Sequence, residues 1–431
     1  MARIVLPVLP FAGHVAPMTA VAAELVRRGH EVVAYTGAKY APRLTAVGAG
    51  WEPWRQAPDF DDADLAATFP QVGDGRGVRA GRANGEHVVL RTGVGQARDV
   101  VALAGRERVD AVVTDSLAVG GALAAERLGV PWATVAVTPL TLGSRHLPPP
   151  GVRLLPIGTR GRRTRDAVLR AGARVAIRRL LDPLITEVRA EVGLGPAAAS
   201  GLDGLVSPHL VLAQGVPGLE YPRPDLPAAV RFVGRLAVPA SPRPDGVLPG
   251  WWPEVERARA EGRPVVHVTQ GTLHVDPGDL LRPAVEGLAG GPALVVATTG
   301  GAAADRLGPL PPNVRTAPFL PHDALLPAVD VMVTNGGWGG VLAAVAAGVP
   351  LVVAGADLDK PEVARRVAWS GVGVDLRTRR PRPAAVRAAV DRVLATPGFR
   401  TTARALGRRL AAAGGAATAA DHIEVILLHP W

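Results

Sequence analysis

Residues 331–350 read VMVTNGGWGGVLAAVAAGVP, and this stretch decides how the rest of the chain is interpreted. An apolar run at 331–333 leads into Thr334 and Asn335, glycines surround Trp338, and small apolar residues follow. The pattern predicts a strand, a glycine-rich turn and a helix. Glycines at a helix start let main-chain N–H groups approach an anion. The stretch therefore predicts either a phosphate-binding turn or a tightly packed strand-to-helix turn.

The turn lacks the signatures of the two common phosphate-binding loops. A P-loop carries a Lys-Ser or Lys-Thr pair after its second spaced glycine, and a dinucleotide-binding fingerprint has G-x-G-x-x-G after the first strand. Neither pattern fits a turn that lies this late in the chain. The phosphate interpretation rests instead on the N–H groups of Gly336, Gly337, Gly339 and Gly340.

Length and composition predict two domains with ordinary cores. The chain has 431 residues, of which 48% are hydrophobic and 20% charged, and this length exceeds one ordinary core.

Prolines and a glycine interrupt the N-terminal apolar sequence, which argues against a signal peptide, and no window predicts a bilayer span. Cysteine is absent, which excludes disulfides and thiolate metal sites. We therefore expect a soluble cytoplasmic protein.

The net charge of +10 is almost entirely due to arginine, because Lys39 and Lys360 are the only lysines. Basic proteins often bind nucleic acids or acidic membranes. Only 4% of the residues are aromatic, so base-stacking side chains are scarce and we predict no nucleic-acid partner. The basic stretch 160–189 carries an apolar stripe, typical of a membrane-surface helix or of a helix packed on the first domain. We favour packing and predict no membrane insertion.

The first half of the chain predicts a parallel α/β domain with a candidate base. A strand over 3–9, a helix over 15–28 and a strand over 31–35 give a β-loop-α-β opening. His14 follows the first strand, where open α/β sheets bind ligands, so it is either a general base or an ordinary polar residue at a helix start. Asp115 ends another predicted strand and can orient His14 or cap the next helix.

An acidic cluster lies in the irregular segment 51–85 and comprises Asp59, Asp61, Asp62 and Asp64. Carboxylates at this density can bind a metal ion, but no histidine lies close to the cluster. The segment is also polar and rich in glycine. We therefore favour a solvated, flexible flap over a metal site.

A proline- and glycine-rich segment divides the chain. Residues 215–250 have this composition and surround one short predicted strand at 230–233, and alternating strand and helix patterns resume near residue 263. We predict four parts: an N-terminal Rossmann-like domain at 1–214, a linker with the start of the second domain at 215–262, a C-terminal Rossmann-like domain at 263–410, and a helix at 411–431 that packs back toward the N-terminal domain. Two parallel domains are expected to leave a cleft between their carboxyl edges.

Five motifs occur in a characteristic order: His14, Gly271-Thr272, the Phe319–His322 sequence FLPH, the glycine turn at 335–340, and Asp359-Lys360. With them, nearly the whole chain resembles the UDP-glycosyltransferase and macrolide glycosyltransferase superfamily. The resemblance implies the GT-B fold, an α/β architecture of two Rossmann-like doubly wound parallel-sheet domains that face each other across a cleft. It also implies an acceptor site in the N-terminal domain and a nucleotide-sugar site in the C-terminal one.

The resemblance assigns donor binding to residues of the second domain. They are Gly271, Thr272, Phe319, His322, Asn335, Gly336, Gly337, Trp338, Gly339, Gly340, Asp359 and Lys360. Phe319 falls where the family stacks an aromatic ring on the base. His322 and Lys360 stand at positions where the family usually has glutamine, and Asn335 replaces a phosphate-binding histidine. The Asn335 amide can still donate a hydrogen bond, and Lys360 adds a cation beside the sugar.

The function implied by the resemblance is inverting transfer of a sugar to a hydroxyl group. His14 would act as the base and Asp115 as its partner, with dTDP or UDP as the donor nucleotide. The acceptor would be a hydrophobic small molecule such as a secondary metabolite. The Asp-x-Asp of Asp357 and Asp359 lies where the family contacts the sugar, so we predict no metal and no cofactor besides the nucleotide-sugar co-substrate. A homodimer is compatible with the sequence.

Three other functions remain open at this point. A sugar-nucleotide epimerase of the same fold would use the donor site without an acceptor. A non-catalytic sugar-nucleotide-binding protein would explain the changes at Asn335 and Lys360. A nicotinamide dehydrogenase is disfavoured, because the G-x-G-x-x-G fingerprint is absent.

Overall fold

The computed structural model describes residues 1–73, 77–152, 154–156, 160–238, 248–271, 276–301 and 307–428. The chain divides into two compact units. The first unit comprises Met1–Gln214, Pro222–Val238 and Ala413–Trp431, and the second comprises Gly215–Tyr221 and Pro239–Ala412. Each unit is built around one parallel sheet.

The first unit contains a seven-stranded parallel sheet and nine α-helices among its described residues. The strands are β1 Arg3–Pro7, β2 Glu31–Tyr35, β3 Gly50–Glu52, β4 Ala111–Asp115, β5 Trp132–Ala136, β6 Val211–Gln214 and β7 Val230–Gly234. The helices are α1 Ala12–Arg27, α2 Ala41–Thr45, α3 Leu65–Thr68, α4 Gly77–Ala83, α5 Thr92–Ala104, α6 Val119–Leu128, α7 Arg160–Leu180, α8 Asp182–Glu191 and α16 Gly415–Leu428.

The strand order of the first sheet is β3-β2-β1-β4-β5-β6-β7, and every neighbouring pair is parallel. β1 lies in register with β4 through Ile4 opposite Ala111 and Val5 opposite Val112. The direction of strand addition reverses between these two strands. Such a reversal leaves a crevice at the carboxyl ends of the strands, because the connections leave in opposite directions.

The second unit contains a six-stranded parallel sheet with seven α-helices in its described part. The strands are β8 Val265–Thr269, β9 Leu294–Thr298, β10 Val314–Ala317, β11 Val331–Thr334, β12 Leu351–Val353 and β13 Gly373–Asp375. The helices are α9 Trp252–Ala260, α10 Leu281–Leu288, α11 His322–Leu325, α12 Trp338–Ala346, α13 Lys360–Ser370, α14 Pro383–Ala395 and α15 Pro397–Ala412. The order β10-β9-β8-β11-β12-β13 reverses between β8 and β11. The predicted architecture of two doubly wound parallel sheets is confirmed.

Helix α16 completes the core of the first unit. Its residues Ala419, Ala420 and Ile423 are fully buried in the same apolar cluster as Ile4 and Leu6 of β1. Small side chains at helical spacing let this helix lie close to its neighbours. The last helix therefore covers a sheet whose first strand is formed by the start of the chain.

Two predictions differ from the structure. The predicted linker at 215–262 is divided, because residues 222–238 belong to the first unit and contribute β7 to its sheet. The short apolar run in β7 pairs with β6, and this long-range pairing outweighs the surrounding prolines. The apolar stripe of the basic stretch is not packed as expected, since Val168 and Val175 of α7 are 67% and 50% exposed.

Among the described residues, one helical stretch, Pro397–Leu428, has the length and apolar composition of a membrane span. It consists of α15 and α16, which are separated at Gly414, where φ is +80°. The buried side chains of the two helices belong to different units. The apolar residues of these helices that are buried therefore pack within their own units.

A buried ion pair fixes the segment 215–221 within the second unit. Glu220 accepts hydrogen bonds from the guanidinium of Arg366 on α13, and the two residues are 1% and 2% exposed. The same guanidinium lies 4.7 Å from the centre of the Tyr221 ring, which packs edge-on against Trp369. Burial of both charges is favourable only while they stay paired.

Replacing Glu220 by alanine should therefore destabilise the second unit. The buried Arg366 would lose its Glu220 partner while its hydrogen bonds to Glu362 remain, and we expect a loss of about 3 kcal/mol in the free energy of unfolding measured with urea. The matched control is Glu254→Ala, which removes a partly exposed pair with Arg315 and should cost less than about 1 kcal/mol. Equal losses of unfolding free energy in the two variants would contradict the larger contribution expected of the buried pair.

Candidate functional site

His14 and Asp115 meet at the carboxyl edge of the first sheet. β1 ends at Pro7, α1 begins at Ala12, and His14 lies in the first turn of that helix. Asp115 is the last residue of β4, the strand beside β1. His14 Nδ1 lies 2.7 Å from Asp115 Oδ2, and the two side chains are 14% and 0% exposed. The structure thus brings together the two residues predicted to form the catalytic pair.

The Asp115 carboxylate is held by three donors. Besides His14, the N–H of Leu9 donates to Oδ2 at 3.2 Å and the N–H of Leu117 donates to Oδ1 at 3.0 Å. A carboxylate oxygen accepts hydrogen bonds, so in this pair the proton lies on Nδ1 of His14. The lone pair of the neutral ring is then on Nε2, which makes Nε2 the atom able to accept a proton.

The helix turn that carries His14 is capped by a distant carboxylate. The N–H of Ala12 donates to Asp62 Oδ2 at 3.1 Å, and Lys39 Nζ lies 2.5 Å from Asp62 Oδ1. Burial alone would lower the pKa of Lys39, but hydrogen bonds to Asp61 and Asp62 raise it above its ordinary value. The predicted solvated flap is therefore wrong for Asp62, which is 7% exposed and stabilises the positive end of α1.

In the second unit, the glycine turn links β11 to α12. Gly336 has a φ of +89°, a region that favours glycine, and a Cβ there would lie 2.9 Å from Val353 Cγ1 and 3.5 Å from the carbonyl oxygen of Lys360. Gly337, at the N-cap of α12, has a φ of −61°. The turn therefore needs glycine at 336 for its own conformation.

Asn335 ties this turn to the loop after β8. Its Nδ2 donates to the carbonyl oxygen of Gln270, and its Oδ1 accepts from the N–H of Gly337 at 3.4 Å. The N–H of Gly336 donates to Thr334 Oγ1 at 3.2 Å. Two of the four N–H groups predicted to hold phosphate are therefore used inside the turn, and one N–H of the Asn335 amide stabilises the neighbouring loop.

The first turn of α12 leaves other N–H groups available. Those of Trp338, Gly339 and Gly340 have no acceptor within the helix. A Cβ on Gly339 would meet no atom of the described residues within 4 Å, so the space beside this residue is open. The indole of Trp338 is buried and its Cζ2 lies 3.3 Å from the Cβ position of Gly215. Trp338 can therefore contact a ligand at this turn only through its main chain.

A pocket lies beside the glycine turn. Its lining residues are Gln270, Asp279, Leu280, Asn335, Ala354, Ala356, Asp357, Lys360 and Arg379. Asp357 Oδ2 accepts a hydrogen bond from Arg379 Nη1 at 2.9 Å. Leu358 has a left-handed φ of +54°, a strained conformation for a side chain of its size, which is a feature of functional loops. Asp359 is the N-cap residue of α13 and does not line this pocket.

Other predicted donor residues lie near the same edge of the second sheet. Phe319 follows β10 and is 61% exposed, with its Cζ 3.4 Å from the Cβ position of Gly301. His322 begins α11, and its Cε1 lies 4.0 Å from the Cβ position of Gly340. Behind it, burial lowers the pKa of His267 to about 3, so that ring is neutral.

Gly271 and Thr272 are the remaining residues that were predicted to bind the donor. Gly271 has a φ of +73°, and its N–H donates to Thr269 Oγ1 at 3.3 Å. Thr272 lies outside the described residues. Among the residues that are described, no group of three or more His, Asp or Glu side chains could hold a metal ion.

Sequence reasoning missed four residues that shape these sites: Gln270, Asp279, Arg379 and Asp62. Gln270 had a usable signal, because it directly follows β8 at the reversal of the second sheet. The others make contacts across long stretches of sequence. Arg380 Nε, for example, lies 2.6 Å from Asp279 Oδ1 across 101 residues.

Comparisons with known proteins place the sequence among natural-product enzymes. A family model described as the erythromycin biosynthesis protein CIII-like C-terminal domain matches residues 288–425. The 4'-demethylrebeccamycin synthase of Lentzea aerocolonigenes is 42% identical over 424 residues, which cover 98% of this chain and 99% of that protein. UDP-glucosyltransferase 1 of Beauveria bassiana is 31% identical, and the match covers 92% of this chain and 89% of that relative.

Solved structures of the same fold cover the whole chain. The calicheamicin glycosyltransferase CalG4 matches with a TM-score of 0.72 and 24% identity over 99% of this chain and 98% of its own. The glycotransferase of kitacinnamycin matches with a TM-score of 0.74 and 24% identity over 99% of both chains. The fold is GT-B, as the sequence resemblance implied.

The glycine turn generates a stability prediction. Gly336→Ala forces a Cβ into the left-handed region and against Val353, so we expect a loss of about 2 kcal/mol in unfolding free energy. The control is Gly339→Ala, where the Cβ enters open space inside a helix and should be neutral or stabilising by up to about 1 kcal/mol. Denaturant unfolding measures both, and equal stability of the two variants would contradict the described turn.

Proposed function

This chain belongs to the superfamily of UDP-glycosyltransferases and macrolide glycosyltransferases, and from that membership we propose that it is a metal-independent inverting glycosyltransferase. It moves a sugar from a dTDP or UDP donor to a hydroxyl group of a hydrophobic small molecule. The observation that carries the proposal is the pair of His14 and Asp115 at the reversal of the first sheet. It is the arrangement that proton removal from an alcohol needs.

On the acceptor side, His14 Nε2 removes the hydroxyl proton while the oxygen attacks the anomeric carbon. The imidazolium formed in this step is stabilised by the Asp115 carboxylate, which also holds the ring in the required tautomer. The three donors around Asp115 fix the position of its carboxylate. A single displacement of this kind inverts the anomeric configuration.

On the donor side, the nucleotide diphosphate binds at the first turn of α12. The N–H groups of Trp338, Gly339 and Gly340 face it, and the positive end of the helix stabilises its charge. Phe319 is exposed enough to stack on the base, and Asp359 stands at the start of α13, at a position where the family contacts the sugar. This main-chain site requires no metal ion and no cofactor, because the positive end of the helix opposes the phosphate charge.

The relatives support the substrate classes of this proposal. One is named a demethylrebeccamycin synthase and others are named UDP-glucosyltransferases, so a secondary metabolite as acceptor and UDP as one donor nucleotide are both represented. A solved structure of the same fold contains dTDP. We assign the enzyme to the cytoplasm, where nucleotide sugars are made and where a chain without cysteine needs no oxidising environment.

The proposal is tested by product analysis with UDP- and dTDP-sugars and a panel of aromatic and polyketide alcohols. Release of nucleotide diphosphate that depends on an added acceptor supports sugar transfer. Interconversion of the nucleotide sugar without an acceptor would indicate an epimerase. Binding of the nucleotide without any turnover over the whole panel would support a non-catalytic sugar-nucleotide-binding protein.

His14→Ala should lower kcat by roughly a hundred- to ten-thousand-fold, the usual contribution of a general base. The dissociation constant for UDP or dTDP should stay unchanged, since His14 belongs to the first unit and the nucleotide binds in the second. Asp115→Asn should also lower kcat, as His14→Ala does. Unchanged turnover in His14→Ala would remove this residue from the mechanism.

Gly339→Val tests the main-chain site. The branched side chain fills the open space beside the first turn of α12, so we expect weaker binding of UDP or dTDP by calorimetry. Thermal stability should change little, because no described atom lies within 4 Å of the new Cβ. Wild-type affinity in this variant would mean that the diphosphate binds elsewhere.

A further inference from the structure

Lys360 brings a positive charge into the pocket beside the glycine turn. It is the first residue of α13 and one of the residues that line the pocket, together with Asn335 and Gln270. The chain has only one other lysine, Lys39, which belongs to the first unit. Lys360 is therefore the only lysine in the sequence of the second unit.

The stem of Lys360 packs directly on the turn. A Cβ on Gly336 would lie 3.8 Å from Lys360 Cβ, and a Cβ on Gly355 would lie 2.8 Å from it and 2.6 Å from the carbonyl oxygen of Asn335. Two glycines thus make room for the stem against the same loop that starts α12. This packing fixes where the side chain begins, close to the proposed diphosphate site.

The charged groups that face Lys360 do not neutralise it at short range. They are Asp359, Asp357, Arg379 and Asp279. No carboxylate in the described part of the chain forms an ion pair with Lys360 Nζ within 4 Å, whereas Asp357 and Asp279 pair with arginines. A half-buried ammonium without a close carboxylate is stabilised by an anionic ligand.

We propose that the Lys360 ammonium binds the β-phosphate of the donor and neutralises part of the charge on the departing diphosphate. This inference rests on the proposed function and assigns Lys360 a partner other than the sugar hydroxyls. In the transfer step, the bond between the anomeric carbon and the β-phosphate oxygen breaks, and its electron pair stays on that oxygen. The new bond forms to the acceptor oxygen, the acceptor proton goes to His14, and Lys360 keeps its own proton.

Chemistry favours phosphate over a sugar hydroxyl as the partner. An ammonium has three donors and no acceptor, so it cannot replace the acceptor oxygen of a glutamine side chain. Its attraction to a phosphate is between full charges, and the half-buried pocket weakens this attraction less than water does. A phosphate oxygen is therefore the stronger partner for this side chain.

The first test compares nucleotide affinities of the wild-type protein and Lys360→Gln by calorimetry. We expect UDP and dTDP to bind the variant roughly 10- to 100-fold more weakly, the effect of losing one charge-assisted hydrogen bond. UMP and dTMP, which lack the β-phosphate, should bind both proteins equally within about twofold. Lys39→Gln is the matched control and should leave all four affinities unchanged.

Each other outcome has a defined meaning. Unchanged diphosphate affinity with weaker binding of the whole nucleotide sugar would assign Lys360 to the sugar and overturn the inference. Equal weakening of monophosphates and diphosphates would indicate a structural role and overturn it as well. Failure of the wild-type protein to bind any diphosphate would overturn the proposed function together with the inference.

A second test needs no variant, because it labels lysines in the wild-type protein. Burial lowers the pKa of Lys360 below its ordinary value, against the opposing charges of Asp359 and Asp357, so a larger fraction of the amine is uncharged and reactive. Amine acylation followed by peptide mass spectrometry should show UDP protecting Lys360 and UMP failing to protect it. Lys39 should be unaffected by either nucleotide. Equal protection by the two nucleotides would contradict β-phosphate binding.

The same charge predicts a pH dependence of binding. The ammonium is present below the pKa of Lys360 and is lost above it, so the affinity for UDP should fall as the pH rises toward the alkaline range. Because this pKa is lowered, the fall should begin at a lower pH than for an ordinary lysine. In Lys360→Gln the affinity should lack this alkaline decline, and a decline equal to that of wild type would count against the proposal.

Discussion

Parallel strands cannot be joined by tight turns, and both sites of this protein depend on that restriction. Each strand must be followed by a crossover, and the crossovers leave in opposite directions where the strand order reverses. In the first sheet the reversal lies between β1 and β4, and in the second between β8 and β11. His14 and Asp115 flank the first reversal, while Gln270 and Asn335 flank the second.

The residues at the two reversals are arranged by different physical interactions. At the first, a fully buried carboxylate is surrounded by donors and fixes one imidazole, so the important quantity is the position of a proton. At the second, Asn335 links two loops, and the start of α12 leaves main-chain N–H groups accessible. The important properties there are the shape of the turn and the partial positive charge of those N–H groups. The first site needs the side chains of His14 and Asp115. The glycine turn of the second site needs residues without side chains, because these leave the main chain accessible.

Strand patterns and motif order predicted both sheets and the glycine turn, because local spacing determines them. The pairing of His14 with Asp115 could also be predicted, because both residues follow predicted parallel strands whose carboxyl ends meet at one edge of the sheet. Features that depend on long-range contacts were missed or misjudged. Asp62 was assigned to a solvated flap, since nothing in its neighbourhood reveals Lys39 or the start of α1. Trp338 was counted among ligand contacts, but sequence does not show that its indole packs over Gly215. The strand at 230–233 was predicted, but it was placed in the linker, because sequence does not show that it pairs with β6.

The first unit is assembled from three separate stretches of the chain, and this affects how it folds during synthesis. Its core includes α16, so the apolar cluster around Ile4 and Leu6 stays partly uncovered until that helix has been synthesised. The second unit, which is nearly contiguous, can complete its sheet earlier. The amino-terminal half must therefore wait, in a form exposed to chaperones, for a helix translated more than 400 residues after its first strand.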